Sequence, residues 1–148
     1  MTAIIFDLDG TLADISHRVH FVQRKKKDWT GFFRGIPNDK PIVPLIDLAQ
    51  LLIASQRTVL FATGRPETTR IDSVVWLIKN GINTDFDTCL FMRKDGDRRS
   101  DELVKKDIFS EIKAAGFNPY LIFDDRQTVV DMWRSLGLRV AQVAPGDF

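Results

Sequence analysis

The sequence predicts an α/β fold, a parallel five-stranded sheet with helices on both faces. Three observations carry that prediction. Apolar runs near residues 3–7, 57–62, 88–92, 118–123 and 138–143 are short and almost unbroken, as strands buried on both faces must be. Amphipathic stretches at about 44–55, 67–80, 101–115 and 127–136 lie between them. Polar clusters stand where the strands end. Strands alternating with helices read as βαβ units with right-handed crossovers.

The elements follow in order. Residues 3–7 form the first strand. A short helix is expected at 14–23, with Asp14 as N-cap and Ile15, Val19 and Val22 on one face. Arg24-Lys25-Lys26-Lys27 comes next, then Trp29, Phe32 and Phe33, spaced as one helical turn with an aromatic face. Two readings stay open for this insert at about 14–43. It is a flap packing its own aromatics under a solvated charge run, or its cations and rings form a floor for bases and phosphates. Pro37, Pro41 and Pro44 lead into the helix at about 44–55, with Leu45, Leu48, Ala49 and Leu52 as core stripe. The second strand ends in Thr63-Gly64-Arg65-Pro66. In the helix at 67–80, Ile71, Val74, Val75 and Ile78 fall at helical spacing and are expected to face the core, with Gly81 as terminator. After the third strand, a polar loop from Arg93 to Arg99 leads to Ser100 as N-cap of the helix at 101–115. The fourth strand ends in Asp124-Asp125-Arg126. The helix at 127–136 buries Val129, Val130, Trp133 and Leu136, and Gly137 stops it. A strand at 138–143 and a tail from Ala144 to Phe148 close the chain.

Composition sets bounds. The 148 residues suit a single domain with a real core, and 44% hydrophobic with 28% charged residues is ordinary for a soluble protein. A net charge of +1 offers no global basic field, so any nucleic-acid partner must be held by a local patch. Cys89 stands alone, which excludes an internal disulfide and suits a reducing, cytoplasmic setting. Neither a signal peptide nor an apolar run of membrane-spanning length is visible, so no membrane partner is expected.

The chemistry gathers at three strand ends and one helix. Asp7 and Asp9 follow the first strand, Thr63 and Arg65 the second, Asp124 and Asp125 the fourth. A lone pair of aspartates two apart would more often be a solvated turn. Here the other clusters share its sheet edge, the edge where open α/β sheets bind ligands. In the helix at 101–115, the stripe Ile108, Phe109, Ile112 extends backwards onto Lys105, whereas Lys106 shares a face with Ser110 and Lys113. Lys105 therefore either lays its stem along apolar surface or meets buried carboxylates. Four carboxylates, a hydroxyl and a lysine are a set that fits Mg²⁺ and a phosphate group. One carboxylate can serve as nucleophile and its neighbour as general acid and base.

Asp7-Leu8-Asp9-Gly10-Thr11, Thr63-Gly64-Arg65, Lys105 and Asp124-Asp125 resemble, in order, the four motifs of the haloacid dehalogenase-like (HAD) phosphatases. More narrowly, Asp101 to Phe109, Asp124 to Trp133 and Gln142 to Phe148 are similar to the 3′-phosphatase half of phage polynucleotide kinase-phosphatases, and Arg18 matches an arginine of that family. The resemblance implies a Rossmann-like sheet with a small flap instead of a full cap domain. It implies Asp7 as nucleophile and Mg²⁺ ligand, and Asp9 as acid and base with its backbone carbonyl on the metal. Thr63 and Lys105 would bind the phosphoryl group, Asp125 would be a metal ligand, and Asp124 would orient Lys105 or a metal-bound water. Arg18 and Arg65 would contact substrate. The stretch between Arg18 and Pro41 carries little of the similarity, and no P-loop occurs, so no kinase domain is expected in this chain. The implied activity is a phosphatase acting through an aspartyl-phosphate on a polynucleotide 3′ end. A nucleotidase or other small-metabolite phosphatase is the alternative, and a non-catalytic phosphate- or nucleic-acid-binding module is a third reading. A binding module needs no acid and base beside a nucleophile.

Overall fold

A computed structural model describes residues 1–146. The chain runs β1 (Thr2–Phe6), β2 (Ala13–Asp14), α1 (His20–Gln23), α2 (Trp29–Arg34), β3 (Lys40–Pro41), α3 (Val43–Ala54), β4 (Val59–Pro66), α4 (Arg70–Lys79), α5 (Phe86–Cys89), β5 (Leu90–Arg93), α6 (Asp101–Ala114), β6 (Asn118–Asp124), α7 (Gln127–Ser135) and β7 (Val140–Gln142). Five strands make one parallel sheet in the order β5-β4-β1-β6-β7. Side chains alternate across a strand. Ile4 and Phe6 of β1, with Val59 and Phe61 of β4, pack on Ile46 and Ala49 of α3 and Trp76 and Leu77 of α4. Ala3, Ile5, Leu60 and Ala62 point the other way, to Val104, Ile108 and Ile112 of α6 and Val129 and Trp133 of α7. Both faces are thus covered, as the continuous apolar strands require. Strand β1 lies at the centre, so whatever follows Phe6 emerges at the middle of the sheet's carboxyl edge.

The expected helix at 14–23 does not form. Asp14 pairs with Lys40 in a two-stranded antiparallel ribbon, β2 with β3, and its carboxylate accepts from the Ser16 N–H at 2.9 Å. Asp14 therefore caps a turn, and only His20–Gln23 is α-helical. Ile15 is buried, and Val19 and Val22 pack half-buried on the core, so the apolar residues reach their place without a helix.

Of the apolar stripe expected for the helix at 67–80, only Val74 packs on the core. Ile71, Val75 and Ile78 are exposed (78%, 58% and 52%), while Ser73, Trp76 and Leu77 are buried. Polar anchors set the rotation of α4. The Arg70 guanidinium donates to the Phe86 and Leu90 carbonyls, Ser73 accepts from Arg65, and the Trp76 indole donates to the Asp39 carbonyl at 2.8 Å. Each of these would be lost by turning Ile71 inward.

Other boundaries move less. Strand β4 runs on to Pro66, carrying Thr63 and Arg65 within it, and a short helix, α5, occupies the start of the expected third strand. Ser100 does sit at the N-cap of α6, without a side-chain capping bond. Asp147 and Phe148 of the tail lie outside the described residues. Among the described residues no helix is long and apolar enough to cross a membrane.

Candidate active site

Asp7 follows β1 directly, and its N–H donates to the Phe123 carbonyl of β6 at 3.0 Å. That bond brings the Asp7 side chain beside Asp124 and Asp125, which end the same neighbouring strand. One oxygen from each of the three carboxylates lies within 4.8 Å of the others, and all three residues are buried. Lys105 reaches them from α6, its ammonium donating to Asp7 Oδ1 at 2.7 Å and Asp124 Oδ2 at 2.9 Å. The helical phase read from the sequence is correct: Lys105 is 2% exposed, and Lys106 is exposed. Asp124 is fully engaged, accepting also from the Trp133 indole and the Asp125 N–H. Asp7 Oδ2 accepts from the Thr11 hydroxyl at 3.2 Å. Asp125 Oδ1 is buried with no hydrogen-bond partner among the described residues.

Three carboxylates face one ammonium, and the electrostatics follow. Burial, then the charge of Asp124, push Asp7 well above the ordinary carboxylate range, with Lys105 pulling back. The same two causes lift Asp125 to about 6. Burial works against the charge of Lys105, yet Asp124 and Asp7 hold its pKa well above that of a free lysine. Such a site is short of positive charge. A partnerless buried oxygen beside two other carboxylate oxygens is what a hard cation with oxygen ligands would satisfy.

Asp9 belongs to a second cluster. Its Oδ1 accepts from Arg18 at 2.9 Å and from Arg65 at 2.9 and 2.5 Å. Burial raises its pKa, but Arg65 and then Arg18 outweigh burial and leave it below the ordinary value. Both arginines are buried, at 0% and 1% exposure. A residue absent from the sequence reading holds them there. Asp39, the residue before β3, accepts from Arg18 at 2.7 and 2.8 Å, from Arg65 at 3.2 Å and shares a 2.7 Å bond with His17. In the sequence Asp39 sits in Asn38-Asp39-Lys40-Pro41, which looks like ordinary turn punctuation. Only the ribbon of β2 with β3 and the Trp76 bond to its carbonyl show why it is buried.

Thr63 is buried within β4, its hydroxyl accepting from the Arg65 N–H at 3.1 Å. Asp101, also missed, ties the rim together: it accepts from Arg93 at 2.6 Å and Arg126 at 2.7 Å. Arg93 in turn donates to the Gly64 carbonyl at 2.7 Å. The glycines of the motifs are spacers. A Cβ on Gly64 would stand 2.6 Å from Asp101 Oδ1, and one on Gly10, whose φ is +85°, would stand 2.0 Å from Asp125 Oδ2. The structure thus brings Asp7, Asp124, Asp125 and Lys105 into one cluster, and Asp9, Arg18 and Arg65 into another beside it.

A parallel sheet of this order, with an Asp-x-Asp turn after its central strand and a buried lysine opposite, defines the HAD-like hydrolase class. The class C acid phosphatase of Bacillus anthracis has this fold, with a TM-score of 0.72 at 14% identity over 99% of this chain and 67% of that one. The narrower assignment comes from the family model for the polynucleotide kinase PNKP phosphatase domain, which matches residues 1–148. The chain belongs to that family of phosphatase domains. A Pnkp1 RNA repair complex with Rnl and Hen1 contains a chain of TM-score 0.84 and 30% identity, covered over 99% of this chain and 43% of that one. A bifunctional protein of Autographa californica nuclear polyhedrosis virus, named for polynucleotide kinase and RNA ligase, is 27% identical over 135 residues. That match takes in 90% of this chain and 18% of the viral protein, so this chain spans less than half of either relative.

Proposed function

We propose that this domain is a Mg²⁺-dependent phosphomonoesterase that removes 3′-phosphates from polynucleotide ends through an aspartyl-phosphate on Asp7. The observation that carries the reading is the charge-deficient triad, with Asp125 Oδ1 left without a partner beside Asp7. The relatives named for polynucleotide kinase and RNA repair support a polynucleotide over a free nucleotide.

In the first step an Asp7 oxygen attacks phosphorus and the bond to the 3′ oxygen breaks. Asp9 gives that oxygen its proton. In the second step Asp9, now a carboxylate, takes a proton from water as the water oxygen attacks the acyl phosphate. Inorganic phosphate leaves and Asp7 is restored. Thr63 and Lys105 hold the other phosphoryl oxygens. Asp7, Asp125 and the Asp9 backbone carbonyl would hold Mg²⁺, with Asp124 orienting Lys105; the ion would supply positive charge that keeps Asp7 ionised and offsets the phosphate's charge. Arg18 and Arg65 hold Asp9 as a carboxylate, the form that the second step needs. For the first step Asp9 must carry a proton, which is favoured when the substrate's own negative charge stands beside Asp9 and opposes the pull of the two guanidiniums.

Phosphate release from a 3′-phosphorylated oligonucleotide, compared with 3′- and 5′-mononucleotides, tests the reading. The oligonucleotide should have the highest kcat/KM, and excess EDTA should abolish its hydrolysis. Rapid hydrolysis of mononucleotides with an inert oligonucleotide would establish the nucleotidase alternative.

A further inference from the structure

The segment between Arg18 and Asp39 takes no part in the chemistry above, yet it is built. Residues 24–34 hold Arg24, Lys25, Lys26, Lys27 and Arg34 against the single acid Asp28, in a chain whose total charge is only +1. Asp28 is spent locally, accepting from the Gly31 N–H at 2.9 Å as N-cap of α2. The rings above it form a continuous series from the catalytic cluster to the surface. Arg18, bonded to Asp9, lies 4.3 Å from the Phe32 ring centroid and donates to the Phe32 carbonyl at 3.3 Å. Phe32 stacks with Trp29 at 5.9 Å and an interplanar angle of 18°, and Phe33 with Trp29 at 5.8 Å. Trp29 ends the series with 51% of its surface exposed, and Lys27 stands 5.6 Å from its ring. Trp76 and Trp133 are buried, at 2% and 0%.

We propose that this patch is a single-stranded nucleic-acid platform: Trp29 stacks a base upstream of the reacting end, and Arg24 to Lys27 hold the phosphates beside it. The proposal rests on the polynucleotide reading and adds to it where the rest of the strand runs. An exposed ring beside a basic run is the combination that holds single strands without reading sequence, since every base has a flat face. A duplex already stacks its bases internally and leaves such a ring little to take. The Lys27 ammonium moves from the Trp29 ring to a backbone phosphate when a base arrives, exchanging one favourable contact for another. The phosphate of a mononucleotide is consumed at Asp7, so these cations have nothing to hold in that substrate.

Two measurements test the platform apart from the chemistry. In the Asp7→Asn protein, an oligonucleotide of about ten nucleotides should quench tryptophan emission, and the quench should vanish with Trp29→Phe because the other two tryptophans are buried. In the active enzyme, Trp29→Ala and the triple variant Lys25→Ala, Lys26→Ala, Lys27→Ala should each lower kcat/KM for a 3′-phosphorylated oligonucleotide about tenfold. Both should leave p-nitrophenyl phosphate hydrolysis unchanged, which also reports that the variants are folded. The triple variant should flatten the salt dependence of the oligonucleotide reaction, because fewer counterions are released. Equal oligonucleotide kinetics in all variants, with no quench, would overturn the platform while leaving the phosphatase reading intact. A quench with no oligonucleotide turnover would overturn the 3′-phosphatase reading and leave the platform standing. An effect of the lysines that is matched by neither a quench nor Trp29→Ala would overturn the stacking platform and leave only electrostatic contact with the strand's phosphates.

Discussion

The two carboxylate clusters at the sheet edge are neighbours with opposite electrostatic states. Around Asp9 and Asp39, two carboxylates meet two guanidiniums, and Asp9 is held below its ordinary pKa. Around Asp7, Asp124 and Asp125, three carboxylates meet one ammonium, two are pushed upward and one oxygen has no partner. The balanced cluster is complete from the chain's own residues. The deficient one is stable only as far as the surrounding fold imposes it, and its missing charge defines what must bind. Charge balance within a few ångströms thus separates residues that position from residues that wait for a partner.

The largest effect is expected where the deficient cluster loses its reacting oxygen. Asp7→Asn should lose all measurable turnover while metal-free thermal stability stays equal or rises, because a carboxylate leaves a cluster with too many. Phosphate release and a melting curve check both halves, and a fall in stability would contradict the charge count. Next, Lys105→Ala should remove most activity, and Lys106→Ala should change stability by no more than about 0.5 kcal/mol and leave turnover unaltered. Assays of the two neighbours side by side sharpen the assignment to one lysine.

Breaking the balanced cluster should act in the other direction. Asp39→Ala leaves Arg18 and Arg65 buried with Asp9 as their remaining carboxylate, and should destabilise the fold by about 3–5 kcal/mol. Urea unfolding measures that loss, and Asp39→Asn, which keeps the shape, should recover part of it. The smallest effect concerns pH. Asp125 has a folded value of about 6, above the 3.8 of a freely exposed aspartate. A group raised on folding contributes stability that is full below its unfolded pKa and is lost as pH rises through its folded one. Metal-free protein should therefore become less stable between about pH 4 and 7, and Mg²⁺ should raise the melting temperature more at the upper end of that window. Melting with EDTA and with Mg²⁺ across the range gives the answer.

Much of this was legible from residues alone, for definable reasons. The strands were plain because both faces of the sheet are covered, which leaves uninterrupted apolar runs. Lys105 was distinguishable from Lys106 because three apolar residues fixed the phase of α6 before any partner was known. The same logic failed in α4, where two apolar stripes compete and hydrogen bonds donated by Arg70 and Trp76 and accepted by Ser73 choose the less obvious one. Asp14 failed as a helix cap because its pairing partner, Lys40, lies far along the chain. Asp39 carried no local signal at all; its role exists only once Arg18, Arg65 and His17 converge on it.

The position of β1 also shapes how the molecule is assembled. Its sheet neighbours are β4, whose Val59 pairs with Ile4, and β6, whose Ile122 pairs with Ile5. Both partners of the central strand lie later in the chain, so both of its hydrogen-bonding edges stay open until residues more than fifty and more than a hundred positions later arrive. Closing such loops is slow, and an apolar strand with two bare edges invites pairing with other chains in the meantime. Asp7 meets Asp124 only when β6 closes onto β1, against the mutual repulsion of their carboxylates. Refolding yield should therefore fall with protein concentration, and a divalent cation present from the start should raise it by easing that closure.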